Sequence, residues 1–348
     1  MSPTMTAQDS KSPEGGRLGW GLVGCGWVAT DYVAPAIVAS ANGRLLGVTD
    51  PNPAAMRRLA AGSTRGGRGP AEHGTLDALL ADPTIRAVYV ATPNHLHAPI
   101  VAACARAGKA VLCEKPMATT LADAAAMVEA CEAAGVPYAT AFDQRFHPAH
   151  RWLRERVADG TLGTIAQARI HYACWLPGDW AGDNWRVDPQ RAGGGALIDL
   201  APHGVDLLEV LLGDEWAELV AIKQRKIHDY AVDDGAILAG RFAGGALATL
   251  HVAYNCPDAF PRRRLELIGT RAMAIAEDTM GQTPGGRVTL VDAATGARSE
   301  TTFPDDPAAS PFVAQVEAFA ASLLNQEPFP FPSRRDLRTF ALLEAACR

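Results

Sequence analysis

The sequence is short of the features that define several large functional classes. It has no surplus of basic residues: 32 Lys and Arg stand against 38 Asp and Glu, a net charge of −6. A nucleic-acid-binding surface usually needs the opposite sign. Cysteine is sparse: the seven, at 25, 104, 113, 131, 174, 256 and 347, include no C-x-x-C pair. That spacing argues against a disulfide frame or a zinc site and for reduced thiols in a cytoplasmic setting. No apolar run approaches the ~18 residues of a membrane-spanning helix. Neither nucleic acid nor membrane is therefore expected as a partner. Residues 1–16 lack the basic start and apolar stretch of a secretory signal and read as a flexible tail.

What is present is the composition of a folded, loop-rich protein: 48% apolar and 20% charged residues, with 33 Gly and 24 Pro among 348. The length suits about two domains. From residue 17 to 143, short apolar runs alternate with Ala-rich helical stretches. Strands are expected at 18–23, 44–49, 87–91, 110–113 and 136–140, and helices at 28–40, 54–61, 95–107 and 121–134. This alternation predicts an α/β unit, a doubly wound parallel sheet with helices on both faces. Pro35 should kink the first helix.

After Phe142 the texture changes. A helix at 149–159 leads to a strand at 165–175, a loop rich in Gly, Asp, Trp and Pro at 176–195, and a helix at 196–212. Further β-like runs at 217–227, 235–242, 246–253, 264–268, 273–276 and 288–291 are separated by tight turns, which predicts a mostly antiparallel sheet in an α+β domain over 144–332. Helices at 312–324 and 337–347 follow, the last within a C-terminal segment at 333–348. That helix runs to the end of the sequence without a cap, which leaves open whether the chain extends further.

Gly24-Cys25-Gly26-Trp27-Val28-Ala29 follows the first strand and opens the first helix. Gly24 permits a tight turn, Gly26 lets a pyrophosphate approach the backbone, and Ala29 lets helix pack on strand. Asp50 ends the second strand about 20 residues further on, where a carboxylate binds ribose hydroxyls and repels a 2′-phosphate. NAD is the cofactor expected; Arg57 and Arg58 leave NADP as the alternative. Thr92-Pro93-Asn94 and Glu114-Lys115-Pro116 follow the strands expected at 87–91 and 110–113, at the strand ends where open α/β sheets bind ligands.

In the second half, Gly193-Gly194-Gly195 gives a flexible approach to a helix carrying Asp199 and His203, four residues apart and so on one face. A carboxylate one turn from an imidazole orients it for acid–base work. A structural ion pair and a metal pair completed by His95 and His97 are the competing readings. No third ligand stands at metal spacing, so no metal is expected. Pro202 should distort this helix. Trp175, Trp180 and Trp185, with Arg186, crowd the preceding loop; flat aromatic faces among polar groups suit a polyol, or they pack a sheet or an interface.

Together these segments resemble the glucose–fructose oxidoreductase / inositol dehydrogenase (Gfo/Idh/MocA) family. The carriers are the loop 24–29, Ala91-Thr92-Pro93-Asn94 with His97, Glu114-Lys115-Pro116, Arg145-Phe146, Trp185-Arg186, residues 193–206 and Val232-Asp233-Asp234. One departure is Phe142-Asp143-Gln144, where Asn or a second Arg is more often expected before Arg145-Phe146. The resemblance implies a Rossmann domain followed by a domain with a large open sheet used for homo-oligomerisation. It implies Lys115, Asp199 and His203 as a catalytic set acting on a sugar or cyclitol, and it places Asn94, His97, Glu114 and Arg145 on the cofactor side. In the expected mechanism His203 takes the alcohol proton, Asp199 orients that imidazole and Lys115 stabilises the alkoxide. The competing functions are cleavage of glycosides with a recycled bound NAD, and a dinucleotide sensor without chemistry.

Overall fold

The computed structural model describes residues 16–64, 68–180 and 183–347; the expected N-terminal tail, Gly16 apart, lies outside them. The first unit has six strands: β1 (Leu18–Val23), β2 (Gly43–Thr49), β3 (Ala71–Glu72), β4 (Ala87–Val90), β5 (Ala110–Glu114) and β6 (Tyr138–Ala141). All pair in parallel, in the order β3-β2-β1-β4-β5-β6. The order reverses between β1 and β4, and that reversal opens a crevice at the carboxyl ends of the strands.

Apolar strands, buried on both faces, need helices on both sides. Helices α1 (Ala34–Ala39) and α2 (Pro53–Gly62) pack on one face, and α3 (Leu76–Ala81), α4 (His97–Arg106) and α5 (Leu121–Ala134) on the other. The kink expected at Pro35 takes the form of a π turn, Ala29–Val33, ahead of α1, with the Ala34 N–H reaching back to the Ala29 carbonyl. Pro35 then falls in the first turn of α1, where no N–H is needed. β3 and α3 went unanticipated. β3 is two exposed residues long and offers no apolar run to read.

The second unit contains α6 (Pro148–Ala158), β7 (Ile165–Ala173), α7 (Pro189–Ala192), α8 (Ala196–Leu212) and seven further strands. These are β8 (Trp216–Gln224), β9 (Gly235–Phe242), β10 (Leu247–Ala253), β11 (Arg263–Gly269), β12 (Ala272–Glu277), β13 (Gly286–Asp292) and β14 (Arg298–Phe303). The sheet order is β14-β13-β12-β11-β7-β10-β9-β8, antiparallel except for β7 beside β10. β14 is mostly polar and exposed and carries no alternation, so the sequence did not announce it.

Helix α8 lies across one face of this sheet, its Leu197, Leu200, Val205 and Leu208 packed with Ile170, Leu238, Leu250 and Leu265. The other face is open. α9 (Pro311–Asn325), which chain order places within 144–332, packs on the first sheet through Phe312, Val316 and Phe319. α10 (Ser333–Ala346) reaches both units, with Phe340 in one core and Leu343 in the other. Among the described residues no helix is long and apolar enough to cross a membrane.

Candidate active site

The turn after β1 is shaped by close approach to β4. Gly24 has φ +92°, and a Cβ there would lie 2.6 Å from the Ala91 carbonyl, so only glycine fits. Gly26, by contrast, faces open space. Cys25 donates its N–H to Asp50 Oδ2 at 2.7 Å, and the Asn52 N–H reaches Oδ1 at 2.7 Å. Asp50 thus ties the glycine turn to the start of α2. Burial, then the charges of Asp50 and Glu72, push the Cys25 thiol up to about 12, so it does not act as a thiolate. Trp27 is 41% exposed and meets Trp180 of the 176–195 loop edge-on at 5.8 Å.

Two residues expected on the cofactor side also act as tethers. Asn94 is buried and donates Nδ2–H to the Ala192 carbonyl at 2.8 Å, fastening the first unit to α7. His97 is fully buried, with Nε2 3.0 Å from the Thr92 carbonyl and Nδ1 3.0 Å from that of Pro116. It clamps together the loops that follow β4 and β5. Thr92 keeps a hydroxyl with no hydrogen-bond partner among the described residues.

Lys115 lies just beyond β5, at the same sheet edge as the glycine turn. Its Nζ donates to Asp199 Oδ1 at 2.7 Å and to the Asp199 carbonyl at 2.8 Å. Pro202, without an N–H, removes the helical bond to the Ile198 carbonyl, although the helix itself runs unbroken. Tyr254, directly after β10, donates its hydroxyl to Asp199 Oδ2 at 2.7 Å. Burial pushes the Asp199 carboxyl up, but Lys115, Arg186 and the bond from Tyr254 together hold it well below the usual carboxylate range. Glu114 accepts the Tyr89 hydroxyl at 2.8 Å, and burial raises its carboxyl.

The expected partnership of Asp199 with His203 is corrected here. Both carboxylate oxygens of Asp199 are taken by Lys115 and Tyr254. The carboxylate nearest the imidazole is Asp143, whose Oδ1 lies 3.4 Å from His203 Nδ1. Burial and then the Lys115 charge push the His203 imidazole down to about 3.

The start of α8 is also occupied. Asp233 accepts the Gly195 N–H at Oδ1 (2.9 Å), the Leu197 N–H at Oδ2 (2.8 Å) and the Ala196 N–H at its carbonyl (3.0 Å). A Cβ on Gly195 would stand 1.9 Å from that carbonyl, so Gly195 serves this docking. Arg145, expected on the cofactor side, sits in a buried ion cluster. Its side chain is fully buried, bonded to Asp206 through Nε (2.8 Å) and Nη2 (2.6 Å) and to Asp336, while Nη1 has no hydrogen-bond partner among the described residues. Of the tryptophans, Trp180 and Trp185 sandwich the Arg186 guanidinium at 5.2 and 4.5 Å, while Trp175 meets His228 at 4.6 Å. Tyr254 carried no local signal, and Asp143 stood out only as a departure from the family pattern, because each meets its partner through the tertiary fold.

A doubly wound sheet with a glycine turn at its reversal point, facing a lysine–carboxylate pair contributed by two units, defines a two-domain nucleotide-linked oxidoreductase. Residues 18–142 match the model for an oxidoreductase family with an NAD-binding Rossmann fold, and residues 150–275 match the GFO/IDH/MocA C-terminal domain. The chain belongs to the GFO/IDH/MocA family and is an oxidoreductase with an NAD-binding domain. It is 37% identical over 290 residues, 83% of each chain, to 1,5-anhydro-D-fructose reductase of Ensifer adhaerens. It is 31% identical over 240 residues, 69% of this chain and 68% of the other, to trans-1,2-dihydrobenzene-1,2-diol dehydrogenase of Mus musculus. The crystal structure of aldose-aldose oxidoreductase from Caulobacter crescentus, complexed with glycerol, matches with a TM-score of 0.84 at 26% identity, covering 95% of this chain and 97% of that one.

Proposed function

We propose that this oxidoreductase acts on a secondary alcohol or ketone of a sugar, amino sugar or cyclitol, with Lys115, Asp199 and His203 as its catalytic set. The observation that carries this reading is the 2.7 Å contact of Lys115 with Asp199, which fixes a cation between the two units at the cofactor edge of the sheet. The backbone from Gly24 to Val28 suits a pyrophosphate, since open space lies before Gly26. Asp50 suits the adenosine ribose and favours NAD over NADP, with Arg57 and Arg58 exposed on α2. Thr92, Pro93 and Glu114 lie toward the nicotinamide end. A bound nicotinamide supplies the hydride acceptor or donor.

Lys115 stabilises the charge developing on the substrate oxygen, where a fixed cation in a water-poor site is most effective. Asp199 holds the lysine in place, and Tyr254 keeps Asp199 ionised. His203 exchanges the proton. Trp175, Trp180, Trp185 and Arg186 offer apolar faces and a guanidinium to a polyol. The relatives named above act, by their names, on an anhydrosugar, a cyclic vicinal diol and aldoses, which supports the substrate class. A homo-oligomer formed through the open sheet face, in a reducing cytoplasmic setting suited to seven free thiols, completes the proposal.

The test is cofactor reduction by purified protein with aldoses, inositols, amino sugars, glycosides and cyclic diols, with NAD and NADP separately. Steady reduction of NAD by one cyclic polyol class is the expected result. Sugar released from glycosides without net reduction would replace this reading with a recycled cofactor. Tight NAD binding with neither outcome would favour the sensor.

A further inference from the structure

His203 poses a chemical problem. Its ring is enclosed by the edges and faces of Phe142 and Tyr172, at 6.5 and 5.7 Å, and it keeps only 7% exposure. Lys115 disfavours a second positive charge there. An imidazolium is therefore a poor resident state, yet reduction of a carbonyl requires a proton from this ring. The neutral ring has one proton to give, and giving it would leave an imidazolate unless another arrives.

The only carboxylate within 4 Å of Nδ1 among the described residues is Asp143, at 3.4 Å; Nδ1 itself is buried and otherwise without a hydrogen-bond partner, so a proton shared along this line would satisfy it. Asp143 begins the short helical turn after β6, is 4% exposed, and accepts Gln144 Nε2–H at Oδ2 (2.8 Å). Gln144 is itself anchored on the Gly281 carbonyl at 2.7 Å, so the carboxyl is held with Oδ1 toward the imidazole. Among the described residues no arginine or lysine salt-bridges it. We propose that Asp143 is a positioning residue that works with His203 as a neutral pair, delivering its own proton to Nδ1 as Nε2 releases one to the substrate carbonyl.

The balance closes. In reduction the carbonyl carbon takes a hydride from the reduced nicotinamide and its oxygen takes the Nε2 proton. The Asp143 proton moves to Nδ1, leaving a carboxylate beside a neutral ring in its other tautomer; solvent then restores the proton. Oxidation runs the same path backwards. The ring never carries a charge, and the protonation of Asp143 selects whether Nε2 is an acid or a base. Burial and the Glu114 charge raise the Asp143 carboxyl to about 7, against the pull of Gln144 and Lys115. Its proton is thus available near neutrality. The other ionisable groups facing the pair are Tyr89 and Tyr172 around Asp143, and Asp199 and Asp206 around His203.

This proposal rests on the reading of His203 as the proton-exchanging group, and two measurements separate their fates. Histidine nitrogen NMR needs no substrate: in the wild type the His203 resonances, assigned with His203→Gln, should pass from the Nε2–H to the Nδ1–H tautomer as pH rises through about 7. In Asp143→Asn they should stay in one tautomer throughout. Kinetically, Asp143→Asn should lose ~100-fold in kcat in both directions with KM nearly unchanged, and lose the pH limb near neutrality. An imidazolium signal at pH 7, or a variant with the wild-type pH profile and kcat, overturns the proposal while leaving the oxidoreductase reading intact. A wild type inactive on every polyol overturns the function, and the tautomer series still decides the pair.

Discussion

Asp143 shows how a single carboxyl can be costly in one respect and useful in another. Its folded value of about 7 lies above the 3.8 of an ordinary aspartate, so the folded protein keeps a proton that the unfolded chain releases earlier. Stability from this group is complete below pH ~4 and is lost as pH rises through about 7. Asp143→Asn removes that loss. Thermal melts should coincide for the two proteins near pH 4 and separate toward pH 8, with the variant the more stable. A variant that melts lower at pH 8 would mean that His203 compensates the ionised carboxylate more fully than the geometry allows. Lys115, Asp199 and His203 were legible in the sequence because each sits in a local pattern of a strand end or a helix face. Their pairing was not. Lys115 and Asp199 are 84 residues apart, Asp199 and Tyr254 are 55 apart, and no periodicity reports a contact of that range.

At the scale of elements, the turn after β6, helix α8 and helix α10 are joined by a buried ion cluster. Arg145 from the turn meets Asp206 from α8 and Asp336 from α10, and Arg335 of α10 also bonds Asp206. Without Arg145, two buried carboxylates would share the single, partly exposed guanidinium of Arg335. Arg145→Met should therefore destabilise the fold by roughly 3–5 kcal/mol, read as a lower midpoint in urea at an unchanged slope. A loss below about 1 kcal/mol would show the cluster relaxing around solvent. The boundaries of α8 and β9 matched the sequence reading because glycine turns and continuous apolar spacing mark both. α3, β3 and β14 escaped it because short or solvated elements bury too little to leave a pattern. The partners of Arg145 were not legible for a related reason: Asp206 and Asp336 come from helices far along the chain.

At the scale of the molecule, the open face of the second sheet is unusually apolar. Val220, Ile222, Ile237 and Leu247 project from it, and Ile222 is 75% exposed. Register places Ile222 opposite Ile237, so these side chains form a patch rather than scattered points. If a second copy covers this face, Ile222→Glu should convert the wild-type oligomer to a monomer by light scattering, with the far-UV spectrum unchanged. A wild type already monomeric at micromolar concentration would remove the oligomer from the proposal. The fold class was legible at this scale because alternation of strand and helix is a global pattern. The destination of α9 was not, since an amphipathic helix does not state which sheet it will cover. That destination has a mechanical consequence. The polypeptide leaves the first unit after β6, re-enters it at α9, and then lays α10 against both cores. The halves are thus joined by two chain crossings and by a helix that belongs to both, so turning one half against the other means peeling α10 from a core.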